Sequence, residues 1–117
     1  NLLQGYKRAI NILTAEENKD GVSYEGDPEE RFAEDASETQ IFAALKQAKT
    51  ALAPALQTED FAAAMTALAA LRAPIDAFFT AVQINSENQV VRRNRLCLLN
   101  QIREVMAKVA RFDLLDG

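Results

Sequence analysis

The chain has 117 residues, 49% of them apolar, and a formal net charge of −4, which suits one folded domain with a modest core rather than a disordered chain. Histidine is absent and cysteine occurs once, which excludes an internal disulfide, a typical zinc site and any Ser–His or Cys–His nucleophile pair within this chain. The acidity is uneven: ten acids and two bases lie between Thr14 and Glu38, leaving seven acids against eleven bases elsewhere.

No glycine-rich phosphate loop is present, so neither catalytic residues nor a metal or cofactor site is expected. No apolar run approaches the roughly 20 residues of a membrane span. The lone Cys97 suits a reducing compartment, and a cytoplasmic location is expected. Asn1 opens the chain with a helix already under way, the expectation for a domain of a longer protein.

Residues 2–13 place Leu2, Leu3, Tyr6, Ile10 and Leu13 at helical spacing, with Lys7 and Asn11 sharing another face. Residues 15–34 are rich in acids, Gly and Pro and lack a helical stripe, so a mobile acidic loop is expected there. A second helix starts near Asp35 or Ser37, where Asp35 with Glu38, or Ser37 with Gln40, has capping-box spacing. Its stripe is Ile41, Phe42, Leu45, Ala48, Leu52 and Leu56, and Pro54 is expected to kink or restart it. Thr58 is a candidate N-cap for a third helix running to Arg72, and Pro74 opens a continuation. Residues 85–88 form a turn with capping chemistry, and the last helix runs from about Glu87 to near Phe112. The fold expected is all-α, a bundle of four to five helices in a single domain over 1–117.

At about 100° per residue, the last helix places Leu96, Leu99, Ile102, Val105, Met106, Val109 and Ala110 on one arc. Arg93, Asn100, Glu104, Lys108 and Arg111 fall opposite, on an expected solvated stripe, and Cys97 projects away from the apolar arc as a partly exposed, unreactive thiol. Arg92 and Arg95 project within the apolar arc, where a free guanidinium is costly to bury. Either their heads reach water at the bundle's end, or they pair with a carboxylate such as Asp76 or with a helix C-terminus. Lys7, Arg8 and Asn11 combine phosphate-type charge with an amide able to read a base edge. Tyr6 and Tyr24 are the candidates for base stacking, while Phe61, Phe78 and Phe79 look like core.

LAALRAPIDAFFTAVQI (68–84) and VRRNRLCLLNQIREVMAKVARFDLL (91–115) closely resemble the C-terminal end of the bacterial glycyl-tRNA synthetase β subunits, and YKRAINIL (6–13) resembles the first helix of that region. This region is an anticodon-binding domain of the DALR class. The four-letter signature is degenerate here: Gln89, Val90, Val91 and Arg92 stand in its place.

The resemblance implies an all-α domain that contacts the anticodon arm and does no chemistry, while ATP and Mg are used elsewhere in the parent ligase. Carried over by position, it points to Lys7, Arg8 and Asn11 for tRNA binding, with Arg93, Asn94 and Arg95 in support. Arg92 is the signature arginine and, with Asp76, a structural candidate. Glycine anticodons end in CC, and cytosine N4 donates, so an acceptor such as the Asn11 carbonyl suits it. The partners implied are tRNA-Gly and, through the rest of the β chain, the synthetase α subunit, with neither membrane nor DNA. The acidic loop is expected on the side opposite the RNA. The competing reading is a helical protein-interaction module docking another domain or subunit through Leu2, Leu3, Leu114 and Leu115.

Overall fold

The computed structural model describes residues 2–82, 84 and 87–116, with side chains described between Gly5 and Val109. The side chains of Leu2, Leu3, Ala110, Arg111, Leu114 and Leu115, and Asn85 and Ser86 of the expected turn, lie outside the described residues. The described residues form α1 (Leu2–Asp20), a 3-10 turn (Glu30–Phe32), α2 (Ala36–Gln57), α3 (Phe61–Ala69), α4 (Arg72–Ala81) and α5 (Gln89–Asp116), with no strand. This is the all-α bundle the periodicity requires.

α5 is the axis of the bundle and packs against α1, α2 and α3. Every residue from Asn94 to Ile102 is buried, so this stretch has no solvent face. That corrects two expectations. Cys97 is fully buried, and burial pushes its thiol up, an inert environment. Asn100 is buried too, its amide nitrogen donating toward Glu104 and its oxygen accepting from Arg103. Around α5 the core gathers Tyr6 and Leu13 from α1, Ile41 and Leu45 from α2, Leu68 from α3, and Ile75 and Phe78 from α4.

α2 opens with the expected capping box. The Asp35 carboxylate accepts from the Ser37 amide at 2.8 Å, while Glu38 accepts from the Asp35 amide at 3.2 Å. The helix does not stop at Pro54 but continues to Gln57. Thr58 closes α2 rather than opening α3: its hydroxyl donates to the Pro54 carbonyl, and Asp60 takes the N-cap by accepting from the Ala63 amide at 3.0 Å. Glu59 between them adopts φ +57°, the left-handed geometry of a helix end. Phe61, expected in the core, is 38% exposed at the start of α3.

Residues 61–81 are, by length and average composition, apolar enough to cross a membrane, which corrects the expectation that no such stretch exists. The stretch nevertheless divides at Ala70–Leu71 into α3 and α4, carries Arg72 and Asp76, and turns Leu68, Leu71, Ile75 and Phe78 into the core.

The largest departure concerns the acidic segment. α1 continues through Asp20, so the loop begins at Gly21 rather than near residue 15. The extra turns carry no apolar stripe because their inner face is ionic. Glu16, Glu17 and Asp20 meet arginines of α5, and alanine, glutamate and lysine are good helix formers. Gly21 then takes φ +68°, which glycine adopts without strain, and ends the helix.

Candidate nucleic-acid interface

α1 has two faces of opposite character. Lys7, Asn11, Thr14 and Asn18 recur at helical spacing and are exposed, flanked by exposed Arg8 and Lys19. All three acids of α1 are turned the other way. Glu17 accepts both nitrogens of the Arg103 fork, at 2.8 and 3.1 Å, and its Oε2 also accepts from the Tyr24 amide at 3.0 Å. Arg103 therefore holds the Glu17 carboxyl below its ordinary value. Asp20 accepts from the Tyr24 hydroxyl at 2.6 Å and from Arg92 Nη2 at 2.7 Å, and these two donors lower its carboxyl. Glu16 lies 3.4 Å from the same Arg92 nitrogen. The outer face of α1 thus presents cations and amides without a carboxylate.

Arg8 is further ordered. Its guanidinium carbon sits 4.6 Å from the centroid of the Phe79 ring of α4, a cation–π stack that fixes a long side chain at the surface. Phe79 is half-buried rather than pure core, and only a residue's neighbour across the fold, not its own helix, reveals that role. The aromatic candidates named from sequence are both occupied. Tyr6 is buried with its hydroxyl donating to the Leu68 carbonyl at 3.2 Å, and burial pushes its phenol up. Tyr24 is buried against Asp20 and Arg92.

The arginine cluster at the start of α5 divides differently. Arg92 takes the carboxylates of Glu16 and Asp20 and donates to the Tyr24 hydroxyl at 3.1 Å, which raises its own value. The expected partner Asp76 is exposed on α4 and pairs with neither arginine. The reason is geometric: the C-terminal turn of α1, not α4, lies against the first turn of α5. Arg95 is buried, donating to Glu38 at 3.0 Å and to Glu34 at 3.4 Å.

Asn94 is buried as well. Its side chain accepts from the Glu29 amide at 2.7 Å and donates to the Glu29 carbonyl at 3.1 Å, fastening the acidic loop to α5. Arg93 alone of the four is exposed, and its Nη2 lies against Gly26, where a Cβ would come within 3.0 Å. The structure therefore brings Lys7, Arg8 and Asn11 together on one open face and directs Asn94 and Arg95 inward. Lys7 is about 20 Å along α1 from Asp20, where the loop departs. The loop is remote from Lys7 but adjacent to Arg93, so it does not lie opposite both expected RNA-contacting groups.

Residues 2–115 match the DALR anticodon binding domain. The chain belongs to this family. In the signature of this DALR domain, the arginine position, Arg92, ties α5 to α1, the preceding Val91 is buried, and Val90 is half exposed. Across all 117 residues the chain is 58% identical to the glycine–tRNA ligase β subunit of Cereibacter sphaeroides. It is 53% identical to that of Paracoccus denitrificans over 117 residues, and 48% identical to that of Rhodospirillum centenum over 118 aligned residues. Each alignment covers the whole of this chain but only 16–17% of the relative. No solved structure matches the chain.

Proposed function

We propose that this DALR domain is the anticodon-binding module of a glycine–tRNA ligase β subunit and takes the anticodon arm of tRNA-Gly on the outer face of α1. The observation that carries this reading is the sorting of charge on α1. Every carboxylate of the helix faces α5, and Lys7, Arg8 and Asn11 are left exposed together. Cations there meet phosphates, and the Asn11 amide offers an acceptor to cytosine N4 and a donor to neighbouring base atoms. Arg8, held over the Phe79 ring, is placed to meet an unstacked base.

In this reading ATP, Mg and glycine are handled elsewhere in the ligase, the α subunit is reached through the rest of the β chain, and the working compartment is the cytoplasm. The relatives are named β subunits of this ligase, and this chain aligns end to end with one segment of them. The test is a titration of the chain with tRNA-Gly and an unrelated tRNA at two salt concentrations. Tighter binding of tRNA-Gly that weakens with salt is expected. Equal affinity for both tRNAs would leave only the electrostatic half of the reading.

A further inference from the structure

A cavity of about 290 Å³ opens between the acidic loop, α2 and α5, away from the outer face of α1. Its floor is apolar, built from Leu45 and Leu98, with Phe42 and Pro28 half-buried at the walls. Gln101 reaches into it from α5 and is 7% exposed. The Lys49 ammonium donates to the Gln101 Oε1. An ammonium can only donate, so this bond fixes which end of the amide is which. The Nε2 end has no protein partner among the described residues and is not sealed from the cavity. A largely buried residue lining the slot thus keeps an amide donor without a partner among the described residues.

The rim adds charge. Lys46 and Lys49 line the same wall, and α2 carries no carboxylate after Glu38. Across from them stands the Asp27 carboxylate, an acceptor only. An apolar slot with one aromatic wall, one inward donor, one acceptor and a cationic edge is the pattern of a small-ligand site at the lower end of the usual size range.

We propose that this cavity binds a single nucleotide whose Watson–Crick edge carries an exocyclic amine beside a ring acceptor, that is, cytosine or adenine, with its phosphate on Lys46 and Lys49. The base packs against Phe42 and Pro28. Gln101 Nε2 donates to the ring acceptor, and Asp27 accepts from the amine. Uracil and guanine carry a ring N–H on that edge, a donor set against the Gln101 donor, and are disfavoured. The proposal rests on the reading above only in supposing that the nucleotide belongs to tRNA; a free nucleotide has the same chemistry.

The test follows the side-chain amide resonance of Gln101 in the 117-residue chain during titration with CMP, AMP, UMP and inorganic phosphate. CMP and AMP are expected to shift it saturably, and UMP and phosphate alone are not. Gln101→Leu should weaken CMP roughly fivefold, the loss of one hydrogen bond. Because Gln101 is buried, the exposed Lys46→Ala provides a second variant: CMP should then lose part of its advantage over cytidine, Lys49 retaining the rest. The site is overturned if no nucleotide moves the resonance, if phosphate alone moves it equally, or if both variants bind CMP as the parent does. Competition by tRNA assigns the nucleotide to RNA, and persistence of CMP binding under saturating tRNA assigns it to a free nucleotide. CMP binding without any tRNA binding sinks the anticodon reading alone, and tRNA binding without CMP binding sinks this site alone.

Discussion

Glu38 is fully buried and paired with Arg95, and three donors converge on its Oε1: the amides of Glu34 and Asp35 and the Arg95 guanidinium. A buried pair of this kind contributes little over an apolar substitute, but removing one partner strands the other. Arg95→Met is therefore expected to lower the unfolding free energy by about 3–5 kcal/mol, read from urea denaturation; a loss below about 1 kcal/mol would mean that water reaches Glu38. Asn94 presents a different case, since it serves a loop rather than a helix. Asn94→Ala removes both bonds to the Glu29 backbone and should cost about 1–3 kcal/mol. The specific sign is faster hydrogen exchange at the Glu29 amide, with exchange in the centre of α5 changed only in proportion to global stability.

At the scale of elements, α1 and α5 are joined by an ionic seam as well as by core packing. Glu17 faces Arg103, and Asp20 faces Tyr24 and Arg92, each carboxyl held below its ordinary value. The unfolded chain therefore takes up these protons first. The seam's contribution is fully present above the unfolded carboxyl values, near pH 4, and is lost as pH falls through the lower folded values. The double variant Glu17→Gln, Asp20→Asn should flatten the decline of stability on the acid side, measured by thermal unfolding between about pH 5 and 2. An unchanged acid slope would place the acid sensitivity elsewhere.

This seam was not legible in the sequence. Arg103 and Glu17 are 86 positions apart, and an ionic inner face leaves no apolar periodicity to count. Residues 15–20 consequently resemble loop. Helices with apolar inner faces were legible, as was the capping box at Asp35, because both are written within a few neighbouring positions. Cys97 and Asn100 were misplaced for a third reason. A helical wheel assumes an outer face, and the middle of α5 has none.

For the molecule as a whole, the charge of −4 argues against a polyanion only while it is treated as uniform. The fold turns the acids of α1 inward and keeps the loop at the far end of that helix, so α1 presents a cationic outer face on an acidic protein. If tRNA docks there, Lys7 and Asn11 should fail in different ways. Lys7→Ala should weaken every tRNA alike and reduce the slope of log affinity against log salt by about 0.7–0.9, the share of one phosphate contact. Asn11→Ala should leave that slope unchanged and cut the preference for tRNA-Gly over an unrelated tRNA by about 1–3 kcal/mol, the range for base readout by a side-chain amide. Both residues are exposed on the helix surface, so circular dichroism and melting temperature should stay within the parent's range. A common loss of slope in both variants would make Asn11 a phosphate contact, and base reading would then have to come from another part of the domain.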